Sequence, residues 1–136
     1  IETVRELSSP AIPVHNGIIV MPLVGHIDTA RSTQIMETLL STVARDDAAS
    51  VVIIDITGVP MVDTGVANHL IQVTRAAALL GARCILVGIT PEVAQTIVQL
   101  GIDLGNLITR SNLQSGIAYG LSLLNLHISS LGENRK

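Results

Sequence analysis

Residues 51–65 read Val-Val-Ile-Ile-Asp-Ile-Thr-Gly-Val-Pro-Met-Val-Asp-Thr-Gly, and this stretch decides the fold. Val51, Val52, Ile53 and Ile54 are β-branched and do not alternate with polar residues. A strand of that kind is covered on both faces, as in the parallel sheets of α/β proteins. Gly58 and Pro60 break it. Asp63, Thr64 and Gly65 follow, and a helical pattern begins after them. The Thr64 hydroxyl is thus held at a strand-to-helix turn, at the positive end of a helix dipole. That is a place for a switch.

The arrangement occurs a second time. Ile18 to Val24 is apolar, Gly25 breaks it, and Asp28-Thr29 precedes another helical pattern. Asp and Thr are both favoured helix N-caps, because a side-chain oxygen accepts a free backbone N–H. Capping accounts for one residue of each pair and leaves the other unexplained.

Working outward, 136 residues suffice for one domain with a real core, and 48% of them are hydrophobic. No apolar run approaches the roughly 18–20 residues that span a bilayer. The formal net charge of −3 gives no electrostatic case for nucleic acid. One Tyr, no Trp and no Phe leave nothing for bases to stack on. The single cysteine, Cys84, lies in the apolar run 82–87 and reads as a small buried hydrophobe. It makes no intrachain disulfide, which suits a cytoplasmic protein. The chain begins at Ile1 and carries no signal-peptide pattern, so it reads as a piece of a longer protein.

In chain order, residues 1–10 are mixed and polar and read as a linker from a missing upstream domain. Ala11 to His15 reads as an edge strand, with Pro10 and Pro13 suited to that place. Asn16-Gly17 signals a hairpin in which both residues tolerate positive φ. Ile18 to Val24 is its antiparallel partner, and Pro22 inside it points to an edge or a bulge. A helix is expected from Thr29 to about Arg45, closed by Asp46-Asp47. A strand over 51–56 and a helix from Val66 to Leu80 follow, the helix ending at Gly81. A strand over 82–87 precedes Thr90-Pro91-Glu92, a helix start with three agreeing signals. That helix runs to Leu100 and stops at Gly101. Leu107–Thr109 is a short last strand. A final helix runs from Ser111 to about Leu126, with Leu113, Ile117, Leu121 and Leu124 on one face. Residues 127–136 read as a flexible tail. The fold class is α/β: one domain over 11–126, with a small mixed sheet of four to five strands and about four helices.

No enzyme site stands out. His15, His26, His69 and His127 lack metal-ligand spacing. There is no nucleophile elbow and no phosphate-binding glycine loop, so no catalytic residue, metal or cofactor is assigned. One alternative has a motif behind it. Asp63-Thr64-Gly65 matches the Asp-Thr-Gly of retroviral-type aspartic proteases, where two carboxylates activate a water. Those proteases are nearly all β, whereas some fifteen residues of helical pattern follow the motif here. Substantial helix in the protein decides against them.

Several stretches together resemble one family. They are Ile12-Pro13-Val14, Val20-Met21-Pro22-Leu23-Val24-Gly25, Ile27-Asp28-Thr29, Asp55-Ile56-Thr57-Gly58-Val59-Pro60, Val62-Asp63-Thr64, Ala82-Arg83-Cys84 and Pro91-Glu92-Val93-Ala94-Gln95-Thr96. From about Pro10 to Leu126 the chain resembles the STAS domain of sulphate transporters and anti-sigma-factor antagonists. Within it the likeness is to the C-terminal domain of RsbR-type stressosome proteins. Simple antagonists usually carry Asp-Ser-Ser-Gly at the first site, and Gly65 stands here in the second serine's place.

The resemblance implies a non-enzymatic, phospho-switched scaffold of a stress-response complex that regulates partner switching around an anti-sigma factor. It makes Thr64 a phosphoacceptor and Thr29 a second one, with Asp28, Asp63 and Gly65 on the partner-binding rim. The implied partners are a switch serine/threonine kinase, a smaller STAS paralogue and further copies of the chain. Two structural expectations go with this. Thr64→Ala leaves the fold nearly intact, at the cost of a cap. If the strands before Thr29 and Thr64 are parallel neighbours, both threonines lie on one rim, within roughly 8–15 Å of each other.

Overall fold

The computed structural model describes residues 11–45, 50–104 and 107–134, with side chains described as far as residue 125. The expected linker over 1–10 and the Asp46-Asp47 turn lie outside the described residues. In chain order the elements are β1 (Ile12–His15), β2 (Ile18–Val24), α1 (Thr29–Arg45), β3 (Val51–Gly58), α2 (Thr64–Leu79), β4 (Arg83–Val87), α3 (Pro91–Gln99), β5 (Ile108–Arg110) and α4 (Leu113–Asn134).

The strands form one five-stranded sheet in the order β1-β2-β3-β4-β5. β1 is antiparallel to β2, and every later pairing is parallel. A tight turn can join only antiparallel strands, so each parallel step needs a helix to carry the chain back. Each of the three crossovers moves one strand further in the same direction. Connections of a single hand then place α1, α2 and α3 on one face of the sheet. The other face is left to α4.

Packing follows that topology. Val52, Ile54 and Ile56 of β3 turn toward α1–α3, where they meet Ile35, Leu39, Leu70, Val73 and Val93. Val51 and Ile53 turn to the opposite face and form a second core with Ile18, Val20, Ile85 and Val87. Leu113, Ile117, Leu121 and Leu124 of α4 pack onto that second core. The run 51–54 is therefore buried on both sides, each residue at 1% exposure or less. α4 comes close to the sheet because Gly116 and Gly120 face it. An added Cβ at Gly116 would stand 2.6 Å from a Val87 methyl, and one at Gly120 would stand 3.3 Å from Ile18 and Val51.

The structure corrects several local expectations. In the β1–β2 hairpin only Gly17 takes a positive φ, of 89°. The expected hairpin forms, and its pairing shifts between Pro13 and His15, a bulge in β1. Pro22 lies one strand in from the edge, but the described β1 pairing ends at Val20. The β2–β3 register also shifts between Pro22 and Val24, which is the expected bulge. α2 begins at Thr64 rather than Val66 and ends at Leu79, with the exposed Leu80 as its C-cap residue. The last helix continues to Asn134, about two turns beyond Leu126. No proline interrupts residues 113–134, and Ile128 and Leu131 keep the helical spacing. No helix among the described residues is long and apolar enough to cross a membrane.

Candidate functional site: a rim of helix N-termini

Each helix follows a parallel strand, so all four begin at the carboxyl edge of the sheet. That edge is where open α/β sheets bind ligands and partners. A first turn leaves backbone N–H groups without intrahelical acceptors, and each of these helices meets the problem with a side chain. Asp28 Oδ1 accepts from the Arg31 N–H at 2.8 Å. Asp63 Oδ1 accepts from the Val66 N–H at 2.8 Å. Thr90 Oγ1 accepts from the Val93 N–H at 3.2 Å, and Asn112 Oδ1 from the Ser115 N–H at 2.8 Å.

The two Asp-Thr pairs are built alike. In each the Asp is the cap, and its carbonyl also accepts the first helical hydrogen bond. Those bonds come from Ser32 to Asp28 at 2.9 Å and from Ala67 to Asp63 at 3.0 Å. Thr29 and Thr64 are the first residues of α1 and α2. Both side chains are exposed, and neither hydroxyl has a hydrogen-bond partner among the described residues. Capping is done by the carboxylates, so the sequence expectation that Thr64→Ala costs a cap is corrected: that cost belongs to Asp63. Gly65 is the second residue of α2, and a Cβ there would lie 3.3 Å from the capping Oδ1 of Asp63. Its bare backbone leaves the helix end open beside Thr64.

β2 and β3 are adjacent and parallel, with Val24 opposite Gly58 and the Gly25 N–H donating to the Gly58 carbonyl at 2.9 Å. Thr29 and Thr64 therefore stand on one rim, at the starts of neighbouring helices, as the shared-rim expectation requires. Two large apolar side chains are exposed at the same edge: Val24 at the end of β2 (62%) and Met61 in the β3–α2 loop (64%). Sequence reading did not single them out. An apolar residue at the end of a strand gives no sign of exposure until its neighbours are placed.

Asp55 and Thr57 form a second polar group near the rim. Asp55 Oδ1 accepts from the Thr57 hydroxyl at 2.6 Å and from the Thr57 N–H at 2.9 Å. Gly88 makes room for it. At φ +84° an added Cβ would collide with Thr57 and stand 2.7 Å from Asp55 Oδ1. The i, i+2 spacing of Asp55 and Thr57 put both on one face of β3, but the need for glycine across the strand is visible only in three dimensions.

The protease alternative has no counterpart here. Asp63-Thr64-Gly65 opens a 16-residue helix in an α/β fold, and the Asp63 carboxylate is engaged as its cap. Among the described residues no group of His, Cys, Asp and Glu side chains is placed to hold a metal ion.

Comparison with known proteins agrees with this architecture. The STAS domain family model matches residues 9–115. The chain is 57% identical over 129 residues to the RsbT co-antagonist protein RsbRA of Bacillus subtilis, covering 95% of this chain and 47% of that protein. It is 43% identical to RsbRD of the same organism, over 86% of this chain and 42% of that one. It thus spans about half the length of these relatives. Among solved structures, a singly substituted RsbS of Moorella thermoacetica superposes with a TM-score of 0.72 at 32% identity, covering 86% of this chain and 97% of that one. A chain from the molecular architecture of the stressosome superposes with a TM-score of 0.66, also at 32% identity, covering 85% and 98%. The five-stranded mixed sheet, the four helices of the described residues and the family match over 9–115 lead to one conclusion: this chain belongs to the STAS domain family.

Proposed function

We propose that this domain is a non-enzymatic, phospho-switched scaffold of a stressosome-like cytoplasmic complex, in which Thr64 and Thr29 are the phosphoacceptors. The reading rests on one observation. Two exposed threonines, with hydroxyls unused by the described residues, occupy equivalent first positions of neighbouring helices on one rim. The relatives are named as co-antagonists of RsbT, which supports a partner of that kind; the family resemblance makes it a switch serine/threonine kinase. A smaller STAS paralogue of the RsbS kind and further copies of the chain complete the assembly.

The physics of the rim fits a switch. A phosphothreonine adds close to two negative charges near neutral pH. At the start of a helix, free N–H groups and the dipole tolerate that charge. The fold is therefore little affected, whereas a kinase seated on Val24, Met61, Asp28, Asp63 and Gly65 meets new bulk and new charge and leaves. The output is partner switching around an anti-sigma factor.

The test is phosphorylation of the purified chain by an RsbT-type kinase with ATP, followed by mass-spectrometric mapping. Phosphate is expected on Thr64 and Thr29, with loss of the retained kinase. Undiminished labelling of a Thr29→Ala, Thr64→Ala double variant would overturn the reading.

A further inference from the structure

α4 carries more apolar surface than the sheet beneath it uses. Leu113, Ile117, Tyr119, Leu121, Leu123 and Leu124 all pack against the second core, yet each stays only half-buried. α1 and α2 lie against each other and bury Ile35, Leu39, Leu70 and Val73 completely. α4 packs on β2 to β5, with no second helix beside it among the described elements. At about 100° per residue, its six apolar side chains spread over roughly 200° of the helix surface. A helix laid on one sheet needs a stripe only about half as wide.

The helix also outruns the sheet. An added Cβ at Gly116 meets Val87, the last residue of β4, and one at Gly120 meets Ile18 and Val51, the first residues of β2 and β3. α4 has thus crossed to the amino edge by Gly120, and its backbone continues as helix to Asn134. At 1.5 Å per residue that is about 20 Å further. Leu126, Ile128 and Leu131 lie in this extension.

The chemistry of α4 selects its partner. No Asp, Glu, Lys or Arg occurs from Ser111 to Gly132. The other helices expose charge, as at Glu37 of α1, Arg75 of α2 and Glu92 of α3. On α4 the exposed positions are Gln114, Ala118, Ser122 and Asn125. Asp55, Arg83 and Arg110 reach this side of the sheet from strands, by register with Val51 and Val87. A partner that set charged side chains against α4 would strip their water without meeting a counter-charge on it. The complementary surface is another uncharged helix face, and the chain itself supplies one. A two-fold axis brings such a patch onto its own copy.

We infer that two copies of the chain pair through α4, antiparallel about a two-fold axis, with Ala118, Ser122 and Asn125 at the seam and Tyr119 and Leu121 on its flanks. The inference gives a surface to the proposed assembly from further copies of the chain and rests on that part of the reading. It is separate from the phosphoacceptors, which stand on helices of the opposite face.

The test is sedimentation equilibrium of the purified, unphosphorylated chain, with a dimer expected at micromolar concentration. Ala118→Glu, Ser122→Glu and Ala118→Lys, Ser122→Lys double variants should each weaken it at least about tenfold, a difference of about 1.4 kcal/mol. Mixed in equal amounts, the two should regain it as a heterodimer. Gln34→Glu, exposed on α1, should leave it unchanged. Amide hydrogen exchange gives a readout without substitution: protection over residues 118–125 should rise with the concentration of the unmodified chain. A chain still monomeric at about 100 μM, where pairing of micromolar Kd would be nearly complete, would overturn the inference. It would leave the rim assignment standing, since phosphate mapping reads that separately. Dimers undiminished in both charged variants, mixed variants that stay apart, or protection that ignores concentration would each overturn it as well.

Discussion

At the residue scale, Asp63 and Thr64 are neighbours with separable duties. Asp63 accepts from the Val66 N–H, so Asp63→Ala should lower stability by about 0.5–2 kcal/mol, the usual cost of a lost N-cap. Thr64→Ala removes a hydroxyl with no described partner and should stay within about 0.5 kcal/mol of the parent. Urea denaturation of the two variants, beside a phosphorylation assay, checks both halves. A Thr64→Ala protein that is unfolded, or that still takes the main label, contradicts the assignment. Gly88 offers a purely structural contrast. Its φ of +84° alone costs an L-residue about 1–2 kcal/mol, and a methyl there also displaces the Asp55–Thr57 hydrogen bonds. Gly88→Ala should therefore destabilise more than either variant at the α2 cap.

At the element scale, α4 is the only helix on its face of the sheet among the described elements, and its distance from the sheet is set by glycine. Alanine in place of a helical glycine ordinarily gains about 0.5–1 kcal/mol. At Gly116 the new methyl would stand 2.6 Å from a β-branched Val87 methyl. Overpacking of that kind costs about 1–3 kcal/mol, so the clash should win and Gly116→Ala should destabilise. At Gly120 the contacts are 3.3 Å, so Gly120→Ala should be near neutral. Denaturant midpoints of the pair test this, and equal effects would contradict the difference in packing at the two glycines.

The same scale holds the coupling between α1 and α2. Their N-termini share a rim, and the first charge placed there is felt by the second through partly screened solvent. Thr64→Glu should therefore change the rate at which Thr29 is phosphorylated, more strongly at low salt. Identical Thr29 kinetics in both backgrounds would show the two sites to be independent.

For the whole molecule, the single thiol reports on the integrity of the core. Burial pushes Cys84 up from 9.0 to about 12. The folded state thus holds its proton where the unfolded state releases it. The unfolded chain binds fewer protons between those values, so stability should fall as pH rises above about 9. A Cys84→Ala variant, lacking this linkage, should show a flatter decline between about pH 9 and 11 in urea titrations. Alkylation near pH 8 should be slow in the native protein and fast in urea, because the thiolate is the nucleophile. Matching rates would place the thiol at the surface.

Much of this architecture is written locally. The unbroken run 51–54 predicts a strand covered on both faces, and Thr90-Pro91-Glu92 marks a helix start, because burial period and capping chemistry act over a few residues. The two Asp-Thr pairs are legible as helix starts for the same reason. Division of labour within each pair was not legible, since Asp and Thr have similar cap preferences and only backbone placement separates cap from first position. The exposed Val24 and Met61 depend on how strands stack, which no local spacing records. Gly88 and Gly116 are ordinary glycines in the chain; Asp55 and Val87, brought against them across the sheet, make them necessary. Sequence alone thus determined which segments are strands and helices, because that choice is made by neighbours along the chain. Tertiary structure decided that four helix starts share one rim, because parallel pairing of β2 through β5 sends every strand end to the same edge.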